Sequence, residues 1–213
     1  MLAWLERESD RWLYVAPRAA NRRGVNGIEA LAAVLVVVNV ALVAWRSVWN
    51  YPFAIVAVAI YAAVFAGARL YSDMVLQGFF VAVNLYGWVN WARARHVSGD
   101  IPVRAIGGRA RAGWTAGVAI AAVVWGTLMH RYTDASYPWW DAGIAAASIA
   151  AQVLQARRAI ESWWLWIAVD VASIPLYAVK GLWFTTGLYV LLLAISVVGL
   201  IDWRRAMVRQ AIA

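Results

Sequence analysis

Cysteine is absent from the chain, which excludes disulfides, thiolate metal sites and cysteine nucleophiles together. Charge is scarce as well: Asp, Glu, Lys and Arg make up 14% of the 213 residues, where ordinary soluble domains carry about 25%. The two histidines, His96 and His130, have no partners at metal-ligand spacing, so no metal site is expected. No GxSxG, HExxH or phosphate-cradling glycine loop occurs, and no nucleophile stands beside a base; neither an enzyme nor a cofactor is expected. What the chain does have is apolar surface, with 64% hydrophobic residues and a mean hydropathy of +0.65. A soluble fold of this length has no interior large enough to hide it, so the natural solvent is lipid. The net charge of +8 would suit nucleic acid in a soluble protein. Here the arginines stand between apolar runs, where they meet anionic headgroups, so the expected partner is the bilayer and not nucleic acid.

Residues 1–24 mix Glu6, Arg7, Glu8, Asp10 and Arg11 with Trp4, Leu5, Trp12 and Leu13, with no apolar run long enough for a signal peptide. They read as an interfacial, helical segment. Seven apolar stretches follow, at about 27–46, 50–68, 71–91, 114–130, 139–157, 163–180 and 182–203, each near the ~20 residues that cross a bilayer. Connections are short except for residues 92–113, a polar linker carrying Arg93, Arg95, Arg104, Arg109 and Arg111. An all-α integral membrane protein of seven transmembrane helices is expected.

The two ends of the chain repeat each other. A shift of 112 lays Glu29 on Asp141, Leu70 on Leu182, Tyr71 on Trp183, Gly87 on Gly199 and Trp91 on Trp203; a shift of 114 lays Trp49 on Trp163 and Gly67 on Gly181. A two-residue gap at Ala68 and Arg69 reconciles them. Each repeat holds three helices, and three crossings end on the opposite side, so the single linking helix restores the direction: a 3+1+3 fold with parallel repeats. The domains read as 1–24, the interfacial segment; 25–91, the first repeat; 92–138, linker and linking helix; 139–203, the second repeat; and 204–213, a tail. Eleven basic residues fall on the side of the C-terminus and eight on the other, which predicts a cytoplasmic C-terminus.

Polar residues inside a membrane need a function or a partner, since a carboxylate at mid-bilayer costs at least ~2.5–3.5 kcal/mol. Here they fall on helical stripes: Asp73, Gln77, Phe80, Asn84, Trp88 and Trp91; Thr185, Tyr189, Ser196 and Trp203; Trp163, Trp166, Asp170, Ser173 and Tyr177; Asp141, Ser148 and Gln152; Glu29 and Asn39. The linking helix has almost none. Asn39, Asn84 and the serines suit interhelical hydrogen bonds, Trp88 suits a lipid-interface belt, and Asp73 and Asp141 suit helix caps. Trp163, Trp166 and Asp170 share one face, and indole faces with a carboxylate suit a flat cation. The candidate substrate-binding set is Trp163, Trp166, Asp170, Gln77, Gln152, Tyr177, Tyr189, Asn84 and Trp88. Pro175 is the expected bending point of its helix.

Several segments then resemble a known family: Trp49-Asn50-Tyr51-Pro52, Leu70-Tyr71 through Leu76-Gln77, Tyr86-Gly87-Trp88 with Trp91, Trp140-Asp141, Trp163 and Trp166 preceded by Ile160-Glu161, and Asp170. From about residue 26 to 203 the chain resembles the PnuC family of nicotinamide riboside transporters. The resemblance implies a full-length SWEET-like fold in a bacterial inner membrane, a homotrimer, and uptake by facilitated diffusion with alternating access and trapping by cytoplasmic phosphorylation. Ser162 and Asp170 depart from it, standing where relatives often show Asn. Both nicotinamide riboside and thiamine carry a permanent positive charge on an aromatic ring, and Asp170 suits either.

Overall fold

A computed structural model of the chain describes residues 22–67, 71–133 and 137–212, so the expected interfacial segment lies almost wholly outside the described residues. Seven helices are present among them: α1 (Arg22–Ala44), α2 (Asn50–Gly67), α3 (Tyr71–Ser98), α4 (Gly108–Tyr132), α5 (Pro138–Ala156), α6 (Glu161–Val179) and α7 (Trp183–Ile212). Lipid offers no hydrogen bonds, so a spanning chain must satisfy its backbone internally, and uninterrupted Ala, Val and Leu runs do this as helices. α4, α6 and α7 are each long and apolar enough to cross a membrane, and α1 and α2 contain the apolar stretches Ala30–Ala44 and Asn50–Ala63. Large apolar side chains such as Val34, Ile120, Val123 and Val190 lie on the outer surface, facing where lipid would be. The protein is a multi-pass membrane protein.

The helix ends differ from the sequence expectation in two places. α3 runs on to Ser98 and α7 to Ile212, past the expected stops at 91 and 203, and the polar connection shrinks to residues 99–107. Alanine and arginine, which dominate both extensions, are strong helix formers, so leaving the membrane does not end the helix. His96 and His130 accordingly sit at helix ends and not in loops.

Within each half the helices pack in sequence, α1 on α2 on α3 and α5 on α6 on α7; the halves meet where α1 packs on α7 and α3 on α5. Exchanging the halves turns one of these contacts into the other, as a two-fold axis between parallel repeats requires. The finer geometry obeys the same exchange. Two residues beyond the ends of α1 and α5 stand Arg46 and Arg158, both non-glycine residues with φ of 54° and 64°. Each closes the same C-terminal turn: Arg46 N–H on Val43 O with Ser47 N–H on Leu42 O, and Arg158 N–H on Gln155 O with Ala159 N–H on Leu154 O. Tyr51 lies against Gly87 and Trp163 against Gly199, where an added methyl would come within 2.5 Å of the Tyr51 hydroxyl or of the Trp163 ring. All these pairs stand 112 positions apart. The expected alignment of Trp49 with Trp163 is therefore corrected: Tyr51 occupies the matching place, and one offset serves without a gap from residue 42 to 91.

α4 packs on α5 alone among the described elements, with Trp139 seated over Gly126, so the linking helix is peripheral. The connection before it crosses the end of the bundle that carries the C-terminus. Arg104 bonds Arg158 O and accepts from Ile160 N–H, both at 2.9 Å. The Glu161 carboxylate takes Ile106 N–H at 3.2 Å and Arg111 at 2.8 Å, while Asp100 pairs with Arg46 at 3.2 Å. Burial, and then the like charge of Arg104, weaken the hold of Arg158 on its proton. Ile101 and Val103 of this strap are buried.

Candidate functional site

Between the halves lies a cavity of about 250 Å³. Its walls contain several pairs of positions related by the two-fold exchange: Ala54 and Trp166, Val58 and Asp170, Val40 and Gln152, Gln77 and Tyr189, Phe80 and Leu192, Asn84 and Ser196. A cavity lined by both members of each pair sits on the pseudo-axis. The chemistry is not symmetric, however. α1 and α2 give a smooth wall of Val36, Val40, Ala54, Ala57 and Val58 broken by Asn39, whereas α5 and α6 give Gln152, Gln155, Trp166 and Asp170.

Six of the nine expected residues come together here: Gln77, Asn84, Gln152, Trp166, Asp170 and Tyr189. Tyr177 stands behind them, stacked on Tyr189 with ring centroids 5.1 Å apart. Two expectations are corrected. Trp163 is fully buried against Trp203 and Gly199, outside the cavity lining, and Trp88 faces an outer groove with Trp49, Arg95 and His96. Helical periodicity gives direction around the axis but not depth: Trp163 lies one turn nearer the helix end than Trp166, about 4.5 Å lower. Gln155 was not singled out, although it continues the stripe of Ser148 and Gln152 at a spacing of three. Asn39, Phe80 and Ser196 were read on stripes and do line the cavity.

Hydrogen bonds fix the polar wall. Gln152 Nε2 donates to Asn84 Oδ1 across the halves at 2.9 Å, and Asn84 Nδ2 donates to Phe80 O within its own helix. Trp166 Nε1 donates to Gln155 Oε1 at 2.6 Å. Ser196 Oγ donates to Asp170 Oδ2 at 3.0 Å. Asp170 is 3% exposed, and no Lys, Arg or His pairs with it among the described residues. A buried carboxylate without a counter-charge is costly and calls for a cation from elsewhere. Away from the cavity, Asp141 pairs with Lys180 at 3.2 Å. Trp140 Nε1 donates to Ala172 O at 2.9 Å, in the turn that Pro175 deprives of a backbone donor.

The cavity floor, toward the C-terminal end, is a row of four rings. Tyr51 meets Trp91 edge-on at 5.5 Å, Trp91 meets Trp203 at 5.8 Å, and Trp203 meets Trp163 edge-on at 5.6 Å. Val40 and Trp166 touch both the cavity and this cluster. The two central indoles donate across the halves, Trp91 Nε1 to Gln155 O at 3.1 Å and Trp203 Nε1 to Val43 O at 3.2 Å.

Residues 26–205 match the family described as nicotinamide mononucleotide transporter. Among individual proteins, the chain is 24% identical to the nicotinamide riboside transporter PnuC of Escherichia coli over 88% of its own length and 89% of the relative's. It is 31% identical to the riboflavin/roseoflavin transporter RibM of Streptomyces davaonensis, over 82% and 83% of the two chains. A crystal structure of the vitamin B3 transporter PnuC superposes with a TM-score of 0.70 and 26% identity, covering 98% of this chain and 90% of that one.

Proposed function

The chain belongs to the nicotinamide mononucleotide transporter family, and from that premise we propose that it takes up nicotinamide riboside across a bacterial inner membrane. Transport is by facilitated diffusion with alternating access; the C-terminus is cytoplasmic and phosphorylation there traps the cargo. The observation that carries this reading is the buried, cation-free carboxylate of Asp170 beside the Trp166 indole in one cavity. A pyridinium ring answers both, its charge balancing Asp170 and its face resting on the indole, a contact worth up to ~2 kcal/mol when desolvated. Gln77, Gln152 and Tyr189 are the groups for a carboxamide and a ribose, with Tyr177 holding Tyr189 in place. The family's trimeric assembly and the repeat boundaries at 25–91 and 139–203 belong to the same proposal.

The likeness to RibM favours riboflavin as a second reading. A neutral three-ring flavin leaves Asp170 unbalanced, which a cationic ring does not. Thiamine shares the cationic ring and is separated only by experiment. A ligand that binds the folded state alone raises its melting point, by about 2.7 kcal/mol of stability at a hundredfold excess over Kd. Thermal shift of the detergent-purified protein with nicotinamide riboside, thiamine, riboflavin and nicotinamide makes the choice. Stabilisation by nicotinamide riboside alone is expected, and stabilisation by thiamine or riboflavin in its place overturns the assignment.

A further inference from the structure

Gln155 is hydrogen-bonded both to the cavity wall and to its floor. Its side chain lines the cavity and its Oε1 accepts the Trp166 indole N–H at 2.6 Å. Its backbone carbonyl accepts the Trp91 indole N–H at 3.1 Å, from the other half of the molecule. Trp91 is fully buried in the ring row that closes the C-terminal end. The matching position in the first half, Val43, keeps only the second of these bonds, its carbonyl receiving Trp203. Val43 has no side-chain acceptor, and Ala54 stands where an indole would have to be. The link from cavity wall to floor is thus built in one half only, the half that carries Asp170.

The row itself holds the mark of a contact made to be broken. Among the described residues, Tyr51 Oη and Trp163 Nε1, on its two outer rings, are buried with no hydrogen-bond partner, as are Nε of Arg46 and of Arg158 in the turns beside it. Buried polar groups are nearly always paired, so unpaired groups clustered at one seam make its closed form costly and its parting favourable. Solvent reaching them on opening restores the missing bonds.

We propose that Gln155 is the positioning residue that couples occupancy of the cavity to parting of the Tyr51–Trp91–Trp203–Trp163 row. The proposal rests on reading the cavity as the substrate site. A ring resting on Trp166 fixes that indole, the short bond to Oε1 fixes the Gln155 side chain, and the carbonyl of the same residue sets whether Trp91 keeps its partner across the seam. Substrate thereby biases the closure through differential contacts with its two states, which is the only way a ligand shifts an equilibrium.

The absence of native cysteine makes the test direct. Ala206, 2% exposed and packed in the ring cluster, is replaced as Ala206→Cys, and its labelling by an impermeant maleimide applied at the C-terminal face reports opening. Labelling is measured with and without nicotinamide riboside in this background and with Gln155→Leu or Gln155→Glu added. Leucine keeps the backbone carbonyl and removes Oε1; glutamate keeps an acceptor. Labelling is read at a nicotinamide riboside concentration that a thermal shift shows to saturate each variant; with Gln155→Leu, substrate exchange in vesicles is expected to fall at least tenfold and labelling to lose its response to bound substrate. Gln155→Glu is expected to restore that response. Equal responses in the parent and Gln155→Leu overturn the coupling and leave the cavity's role standing. A parent protein that neither binds nor responds to any of the four vitamins overturns both.

Discussion

Under the proposed function Asp170 decides which cargo the cavity favours, because among the described residues it is the only acid in the lining, and Ser196 donates it a hydrogen bond. Asp170→Asn keeps the shape and the bond to Ser196 while removing the charge. Its affinity for nicotinamide riboside should fall at least tenfold, about 1.4 kcal/mol. Calorimetric titration of the purified variant checks this, and an unchanged Kd would show that the cation is balanced elsewhere. Ala54 sets the width opposite, since it is the pseudo-symmetric counterpart of Trp166 and faces it across the axis. Ala54→Leu fills that space, so binding should weaken more than tenfold with little loss of thermal stability; retained binding would place the ring elsewhere in the cavity. At this scale the sequence was legible where a polar side chain broke an apolar stripe, as with Gln77, Gln152 and Asp170. It misled where depth mattered, as with Trp163 and Trp88, and Ala54 gave no signal at all, because an alanine in a membrane helix acquires a role only from what stands opposite.

Helices were legible as apolar runs, and the peripheral place of α4 follows from its lack of a polar stripe: with nothing to turn inward, it packs on α5 alone. The ends of α3 and α7 were less legible, since the change from lipid to water alters which residues are favoured but not whether the backbone stays helical. The pairing of α2 with α3 and of α6 with α7 depends on two glycines. Gly87 admits the Tyr51 ring and Gly199 the Trp163 ring; a methyl at Gly87 would meet Tyr51 ring atoms at 2.6 Å and one at Gly199 would meet Trp163 ring atoms at 2.5 Å. Both rings are at most 2% exposed and boxed in by the cluster, so neither can swing aside freely. Gly87→Ala and Gly199→Ala should each cost about 1–3 kcal/mol by overpacking. They should also lower the melting temperature by similar amounts in a thermal scan of the purified proteins. An unaltered melting temperature in either would mean that the helix pair slides apart without loss.

At the scale of the whole molecule, the repeat was visible in a few shared residues, Gly87 with Gly199 and Trp91 with Trp203, but its strongest signature was not. That signature is a pair of backbone carbonyls, Val43 and Gln155, whose side chains have nothing in common, so no comparison of residue types reveals them. The same exchange explains how the protein combines a symmetric scaffold with an asymmetric cargo. Contacts that hold the halves together obey the two-fold, while residues lining the axis depart from it, small and apolar on α1 and α2 except for Asn39, and polar or aromatic on α5 and α6. A consequence can be measured. Trp91→Phe and Trp203→Phe each delete one indole bond between the halves and leave the ring row intact. If the halves are held equivalently, the two substitutions should destabilise the protein equally. Each carbonyl keeps the N–H of Arg46 or Arg158 in its turn, so the loss is that of one hydrogen bond, about 0.5–1.5 kcal/mol. The double variant should depart from the sum, because the two rings touch, with centroids 5.8 Å apart, and residues in contact couple by about 0.5–3 kcal/mol. Denaturation of the three variants in one detergent supplies the comparison. A much larger loss for Trp91→Phe than for Trp203→Phe would show that the bond to Gln155 carries more than its symmetric counterpart, and the equivalence of the two halves at the floor would fail.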